Sequence, residues 1–469
     1  MKRYIIAAIA IVVSGCGIYK PYSRPEVSTE GLYGVEYSSS DVATIADVEW
    51  HEFFTDVQLQ TLIERGLENN MDLQAAQLRI TEAEATLKAA RLAFLPSFNL
   101  NPTGGVSSFA GSTGSWTYSA PIAASWQIDI FGGLNNAKRK AKALYAQSQE
   151  YRQAVRTQLI AGIANYYYTL LMLDGQYQVT AMTAESLYHS AETMRAMMDA
   201  GMTNRASVAQ MEAAAFSASA SLYDITLQIR EVENALCSLL GETPHTIERT
   251  TLAEQHLTDS IAVGIPVQLL SNRPDVRMAE FALMQAFYAT AAARSALYPS
   301  LTLNGVLGWA NNAGSIITNP GGLLLSAAAS IAAPIFNGGK LRAQVKIAEA
   351  QQQEALLCFQ QTLLNAGAEV NNLLAKVQTA REKMNIRKMQ IESLEAAVES
   401  TELLMQHGST TYLEVLTAQQ NLLSGRISEI SDYYEELQGI VNLYAALGGG
   451  REQIAEVDTN KEKRNKKSK

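Results

Sequence analysis

The sequence predicts a mainly α-helical fold with a membrane β-barrel part, built from long coiled-coil hairpins and two β-hairpins per chain. Three observations predict it: long proline-free runs with helical spacing, two short regions with a period of two, and repetition of both along the chain. Hydrophobic residues make up 47% and charged residues 18%, which suits a large core or partial membrane contact. No window reaches the roughly 18 consecutive apolar residues that a transmembrane helix needs.

The N-terminal sequence predicts a secretion signal followed by a lipid anchor. A basic start precedes an apolar run over residues 4–13, so residues 1–15 are predicted to be a signal peptide. The run ends in a sequence that resembles the bacterial lipobox, which predicts a mature chain beginning at a lipidated Cys16. An ordinary signal peptide with an incidental cysteine is the alternative. Residues 16–54 are predicted to form an extended arm.

Two parts of the chain share residues at a constant offset, which indicates a tandem duplication. The first repeat is predicted over residues 55–262 and the second over residues 263–450, followed by a polar, basic tail at 451–469. The matched pairs are Asn69/Asn272, Asp72/Asp275, Ala90/Ala293, Arg91/Arg294, Ala93/Ala296, Pro96/Pro299 and Ser97/Ser300.

Each repeat is predicted to contribute one β-hairpin, at about residues 97–131 and 300–336. In the first, Trp126, Ile128 and Ile130 alternate with polar residues, as in strands that are apolar on one face and polar on the other. A soluble sheet packed on its own helices is the alternative. Four strands cannot close around a lumen, and lipid does not tolerate open sheet edges, so a membrane barrel would need several chains.

Each repeat is also predicted to contribute a helical hairpin, at about residues 135–241 and 340–447. Gly201 interrupts the first and Gly408 the second. Apolar residues in the second follow a 3,4 spacing typical of a coiled-coil seam. The seam is predicted at Leu356, Phe359, Leu363, Ala366, Val370, Leu373, Val377, Ala380 and Met384, then at Leu413, Leu416, Gln420, Leu423, Ile427, Ile430, Tyr434, Leu437, Val441 and Tyr444.

A polar stripe runs beside this seam with the same helical period. Small polar side chains beside an apolar seam are typical of a helix whose polar face contacts water. The sequence leaves open whether this face lines the lumen of a channel or is exposed to the periplasm. The stripe consists of Glu414, Thr417, Asn421, Ser424, Ser428 and Glu435.

Composition and motifs argue against several other classes of function. A net charge of −9 without a basic face disfavours nucleic acid as a partner. The five histidines are dispersed, and no zinc, phosphate-loop or nucleophile-elbow motif occurs, so no enzyme, cofactor or metal site is predicted. Cys237 and Cys358 lie in helical stretches and are expected to be buried free thiols. A lipid-anchored coiled-coil scaffold remains an alternative. Such a scaffold, however, would not require strands that are polar on one face and apolar on the other.

Several motifs together resemble the outer-membrane efflux protein family, the TolC-like outer-membrane factors, in its lipoprotein branch. Each motif is weak alone, but their order and spacing cover nearly the whole mature chain. They are Cys16 with Tyr19 and Pro21, the segments 50–54, 72–73, 273–276, 298–300 and 441–450, Asp56, Asn69, and the two Phe-to-Gly-Gly turns at 131–133 and 336–339.

The resemblance implies a homotrimer in the outer membrane of a Gram-negative bacterium. Four strands from each chain would form a twelve-stranded barrel, and the helices would form a tunnel through the periplasm. Its implied partners are outer-membrane lipid, a periplasmic adaptor (membrane fusion) protein and an inner-membrane transporter of the RND type. The function implied is a passive exit duct of a tripartite efflux system, with type I protein secretion as the alternative.

The resemblance also assigns roles to residues at the far ends of the helical hairpins. A periplasmic gate is expected at Leu413, Glu414 and Thr417; relatives often carry an acid at the position of Thr417, so Glu414 is the main candidate for a charged ring. Leu413 is also in phase with the seam, and core packing is its alternative. Adaptor-docking tips are expected at Gly201, Met202, Thr203, Gly408, Ser409 and Thr410, although the glycines could equally serve as helix caps.

Overall fold

The structure, a computed structural model, describes residues 21–25, 48–108, 115–255, 273–311, 322–407 and 410–451. The chain divides into two compact units. Unit 1 comprises residues 1–28, 77–150 and 277–362, and unit 2 comprises residues 29–76, 151–276 and 363–469.

A helix of 22 residues, a β-hairpin and two long helices follow one another twice along the described chain. The helices are α1 (Trp50–Phe53), α2 (Val57–Asn69), α3 (Met71–Leu92), α4 (Gly133–Asp199), α5 (Arg205–Leu240), α6 (Pro274–Ser295), α7 (Lys340–Gln406) and α8 (Tyr412–Ala446). The strands are β1 (Ser97–Leu100), β2 (Thr103–Ser107), β3 (Ser115–Ile128), β4 (Ser300–Asn311) and β5 (Gly322–Ala332).

The lengths of corresponding helices confirm the predicted duplication. Helices α3 and α6 have 22 residues each, and α4 and α7 have 67 residues each. Their returning partners, α5 and α8, have 36 and 35 residues. A helix of the longer kind extends roughly 100 Å at 1.5 Å per residue.

The strands form one antiparallel sheet in unit 1, in the order β1-β3-β4-β5, with β2 also paired to β3. Strands β3 and β4 come from different repeats and pair from Tyr118–Asn311 to Ile128–Leu301, so the sheet joins the two hairpins. The first hairpin has a break that the sequence analysis did not predict, at residues 101–102 between β1 and β2. Pro102 has no N–H group to donate to a ladder, which accounts for an interruption there.

The two faces of the sheet differ in polarity as predicted. A row of apolar side chains crosses all four strand positions on one face, at Leu100, Ile122, Leu307 and Leu325. These four side chains are 65%, 46%, 51% and 74% exposed. On the other face, the Ser125 hydroxyl lies 3.0 Å from Asn304 Oδ1 in the neighbouring strand. Within the described residues, β5 pairs on one side only and is exposed along its whole length, so the sheet has an open edge.

The core of unit 2 gathers large aromatic side chains around Tyr444, which is 1% exposed. Its ring stacks on Phe53 with centroids 4.2 Å apart. Its hydroxyl donates to the Val48 carbonyl at 3.0 Å and accepts from the Gly450 amide at 2.7 Å. Tyr444 therefore ties Val48 and Gly450, which are far apart in the sequence, to the core of this unit.

The predicted seam is confirmed along much of α7 and at four positions of α8, namely Leu416, Leu437, Val441 and Tyr444, but not at Leu413 and Gln420. Phe359, Leu363, Ala366, Val370, Val377 and Ala380 are all buried. Leu413 is 55% exposed and Gln420 is exposed, so the prediction that these two residues lie in the seam is wrong. The reason is that Val415 packs against Met194 of α4 and Met405 of α7. Leu413 is two residues earlier, about 200° around the helix axis, so its side chain lies on the opposite side of α8. Cys237 is buried as expected, whereas Cys358 is exposed, which corrects the expectation for that thiol.

Candidate channel gate and helical tips

The turn between α4 and α5 is shaped by Gly201, whose φ angle is 76°. The Gly201 amide donates to the Met198 carbonyl at 2.9 Å, and the Met202 amide donates to the Met197 carbonyl at 2.8 Å. A Cβ atom on Gly201 would meet no atom within 4 Å, so the left-handed backbone, rather than space, favours glycine here. Met202 is 65% exposed and Thr203 is half-buried.

The corresponding turn before α8 is described in part. Gly408 and Ser409 lie outside the described residues, so their predicted role as a tip stays a prediction. Thr410 is described, and its hydroxyl donates to the Glu414 carboxylate. This bond orients the Glu414 side chain at the first turn of α8.

The three predicted gate residues lie on one exposed face of α8. Leu413, Glu414 and Thr417 are all exposed, while Val415 and Leu416 between them are buried. Positions three and four apart are neighbours on a helix surface, so these side chains form one patch with an apolar, an acidic and a hydroxyl member. The Thr417 hydroxyl donates to the Leu413 carbonyl at 2.7 Å, which limits its freedom.

The polar stripe that continues from this patch is exposed at its start and half-buried further along α8. Glu414, Thr417, Asn421 and Ser424 are exposed, whereas Ser428 and Glu435 are half-buried. The first part of the stripe is therefore accessible to solvent, as predicted for a helix face that contacts water.

Helix α8 contacts its two neighbours in unit 2 through different chemistry. With α7 it forms ion pairs, at Arg381–Glu436, Lys383–Asp432, Lys383–Glu435, Arg387–Asp432 and Arg426–Glu395. With α4 it forms hydrogen bonds between neutral groups, at Asn165–Asn442, Thr169–Tyr434 and Gln176–Ser431. Bonds between neutral groups are about half as strong as charge-assisted ones, so each polar contact on the α4 side is individually the weaker.

Gln419 joins all three helices near the predicted gate residues, and the sequence analysis missed it. It is 5% exposed. Its Nε2 atom donates to Glu402 of α7 at 2.9 Å and lies 3.3 Å from the hydroxyls of Ser186 and Ser190 on α4. The signal that could have identified it is a long polar residue on a helix face that is otherwise buried and apolar.

Tyr412 makes a second contact at this end that was not predicted. Its hydroxyl donates to the side chain of Gln210, so the start of α8 is bonded to the start of α5. The two residues are 202 positions apart in the chain, which is why no local pattern indicates the pair.

Asp56 is the centre of a polar network elsewhere in unit 2. It caps α2 by accepting from the amides of Gln58 and Leu59, and its other oxygen accepts from Thr250 at 2.6 Å and Tyr167 at 2.7 Å. Burial by itself would raise the pKa of Asp56, but the hydrogen bonds to its carboxylate outweigh burial and lower the pKa.

Because the folded pKa of Asp56 is lowered, its ionised form stabilises the fold above its unfolded pKa, near 3.8. That stability is lost as the pH falls through the lowered folded value. We expect Asp56→Asn to lower the melting temperature at neutral pH and to flatten its dependence on pH in the acid range. Thermal unfolding followed by circular dichroism would measure both. Glu68→Gln, at an exposed residue of the same helix, should change neither, and equal curves for the two variants would contradict the assignment.

Three further findings bear on function. No group of three or more His, Cys, Asp or Glu side chains in the described residues is placed to hold a metal ion. No helix in the described part of the chain has a sufficiently long apolar stretch to cross a bilayer. Cys16, the predicted lipidation site, lies outside the described residues.

Known proteins resemble the chain over nearly its whole length. It is 28% identical over 449 residues to the cation efflux system protein CusC of Escherichia coli, covering 94% of this chain and 98% of that protein. It is 27% identical over 458 residues to the probable outer membrane lipoprotein SilC of Salmonella typhimurium, covering 96% and 99%. A crystal structure of CusC superposes with a TM-score of 0.86 at 28% identity, covering 93% of this chain and 100% of that one.

The family itself follows from a direct match to its profile. The profile described as outer membrane efflux protein matches residues 62–242 and 265–449, which together contain both helical hairpins and both parts of the sheet. The fold, with its long paired helices and a sheet apolar on one face, is the fold of those channels. The chain therefore belongs to the outer membrane efflux protein family, and it is the outer-membrane exit duct of an efflux system.

Proposed function

We propose that three copies of this chain form a passive duct in which their sheets close into one twelve-stranded barrel. The observation that carries the proposal is the exposed apolar row of the sheet at Leu100, Ile122, Leu307 and Leu325 beside an open edge at β5. An open edge in lipid costs several kcal/mol for each unsatisfied backbone group. Pairing β5 of one copy with the β1–β2 edge of the next removes every edge and leaves the apolar row facing lipid.

The experiment for this proposal measures assembly and conductance on the same preparation. The full chain purified in detergent should run as a trimer that resists mild heating in dodecyl sulfate, and it should conduct ions in planar bilayers. A monomer with a stable sheet, or trimers without conductance, would contradict the proposal. As a matched pair, Leu325→Arg should abolish insertion because a charge on the lipid face costs about 2–4 kcal/mol, whereas Ser326→Arg, on the opposite face, should be tolerated.

We further propose that the chain works with a periplasmic adaptor and an inner-membrane transporter of the RND type. The relatives support this proposal, since CusC is named as part of a cation efflux system. Gly201, Met202, Thr203 and the turn at Gly408, Ser409 and Thr410 would dock the adaptor, and Cys16 would carry the lipid, as the lipoprotein name of SilC suggests for that relative. Single cysteines at Thr203 and Thr410 that crosslink to the adaptor, with none at Ser221, would support the docking assignment.

We propose that Leu413, Glu414 and Thr417 line the periplasmic gate. Three Glu414 carboxylates facing one axis would attract multivalent cations, so Glu414→Gln should weaken cation block of conductance by about tenfold or more while trimers persist. Conductance titrated with a trivalent cation measures the effect. The control is Glu429→Gln, which removes the same charge from another exposed position of α8 and should leave block unchanged. Unaltered block in Glu414→Gln would remove this residue from the gate.

A further inference from the structure

Four methionines lie together where α4 and α7 approach the gate. Met194 is 2% exposed and Met405 is 7% exposed, and they pack with Val208 and Val415. Met197 and Met198 are half-buried against the same group. We call Met194, Met197, Met198 and Met405 the tip methionine cluster.

The concentration of thioethers at this place is specific within the fold. Of the seven residues in this apolar cluster, four are methionine, the others being Val208, Val415 and Tyr412. The much larger core of unit 2, as far as it is described, contains leucine, isoleucine and aromatic residues but no methionine. Filling an irregular gap explains one methionine in a core. It does not explain why flexible side chains replace leucine throughout one small cluster.

Helical spacing and packing bring the four side chains of this cluster together. Met194, Met197 and Met198 stand at positions i, i+3 and i+4 of α4, and residues with that spacing share one face of a helix. Met405 comes from α7 and meets this face in the cluster. The exposed Met202 lies at the adjoining turn, where its amide is bonded to the Met197 carbonyl, so a thioether is also available at the surface.

Thioether sulfur is a soft, neutral ligand that selects soft cations such as Cu(I), whereas carboxylate and water suit hard ones. Within its described residues the chain has no cluster of His, Cys, Asp or Glu that would bind a divalent ion such as zinc instead. We propose that the tip methionine cluster is a binding site for a soft monovalent cation, Cu(I) or Ag(I). One ion would bind per chain, held by the sulfur atoms of Met194 and Met405 with Met197 or Met198.

This inference rests on the proposed function, because the ions that bind at the cluster would be a class of substrate that the duct transports. The cluster lies at the end of the helices where the gate is proposed. The apolar wall of Val208 and Val415 would exclude water from the bound ion. Glu414 precedes Val415 in α8 and is exposed, so its charge would attract cations toward the cluster.

In the experiment, silver nitrate is titrated into the full-length trimer in detergent and chloride-free buffer. Isothermal titration calorimetry measures the affinity and the number of silver ions bound per chain. The free thiols would bind silver themselves, so every protein carries Cys237→Ala and Cys358→Ser, while lipidated Cys16 is common to all. The parent should bind one silver ion per chain. Met194→Leu with Met405→Leu should weaken that binding at least tenfold, because leucine preserves volume but has no donor atom. The control pair, Met182→Leu with Met389→Leu, changes exposed methionines outside the cluster and should bind as the parent does.

Two results would overturn the site: equal silver binding in both double variants, or zinc nitrate binding the parent as tightly as silver. Equal melting temperatures of the two double variants without silver would show that packing is preserved. Conductance measured on the same preparations separates this inference from the proposed function. Normal conductance without silver binding rejects the metal site alone, whereas absence of conductance in the parent rejects the duct.

Discussion

Tyr444→Ala is expected to lower the free energy of unfolding by about 3–5 kcal/mol, the usual cost of removing a large aromatic side chain from a core. Tyr444 is 1% exposed and stacks on Phe53 at 4.2 Å. Its hydroxyl also bonds Val48 and Gly450, so alanine would leave a cavity and free a carbonyl and an amide at once. Urea unfolding of the detergent-solubilised chain, followed by circular dichroism, measures the change.

A second variant at the same residue separates the ring from the hydroxyl. Tyr444→Phe keeps the stacking on Phe53 and removes both hydrogen bonds, which should cost about 1–3 kcal/mol. We expect Tyr223→Ala, at an 80% exposed tyrosine, to change stability by less than about 0.5 kcal/mol. If Tyr444→Ala were no worse than Tyr223→Ala, the core around Phe53 would not depend on this residue.

Arg273→Met is expected to destabilise unit 2 by about 2–3 kcal/mol through the loss of charged hydrogen bonds. Arg273 is 7% exposed, and it donates to the Ala446 carbonyl at 2.7 Å and to the carboxylates of Asp275 and Glu369. The cost stays below the roughly 3–5 kcal/mol typical of a broken, fully buried pair, because both carboxylates are about half exposed. Methionine keeps most of the side-chain volume, so the lost charge dominates.

Arg294 provides the control for this experiment. Its guanidinium pairs with Glu349, and the two side chains are 51% and 42% exposed, so Arg294→Met should cost about 0–1 kcal/mol. The melting temperature measured at several pH values adds a second readout. Burial by itself would raise the pKa of Asp275, but hydrogen bonds and charge attraction from Arg273 lower it. Stability from that pair is therefore lost as the pH falls, and Arg273→Met should reduce this acid dependence. Equal losses in the two arginine variants would contradict the role given to Arg273.

The different contacts of α8 suggest how opening would proceed in the proposed duct. Ion pairs such as Arg387–Asp432 hold α8 to α7, whereas neutral hydrogen bonds such as Asn165–Asn442 hold it to α4. Both partners of the ion pair would lose charge-assisted bonds if α7 and α8 separated. Gln419 bonds to both neighbours, so it is placed where movement of α8 away from either helix would be resisted.

The sequence by itself determined the long helices, the two β-hairpins apart from the break at residues 101–102, the duplication and the family. The 3,4 spacing of α7 and the alternation around Trp126 depend on residues close in the chain, and local backbone geometry fixes which of them share a face. The paired lengths of α4 and α7 follow from the same repeated pattern.

Only the tertiary structure decided which face of α8 is buried and which residues meet at its first turns. Leu413 matched the seam by spacing, yet Val415 is the residue that packs against Met194 and Met405, because the phase of a helix is set by the neighbours it packs against. Tyr412 meets Gln210 across 202 positions of sequence, and the tip methionine cluster joins α4 to α7 over a similar separation. Contacts of this kind depend on where whole helices pack, and no local period in the sequence records that.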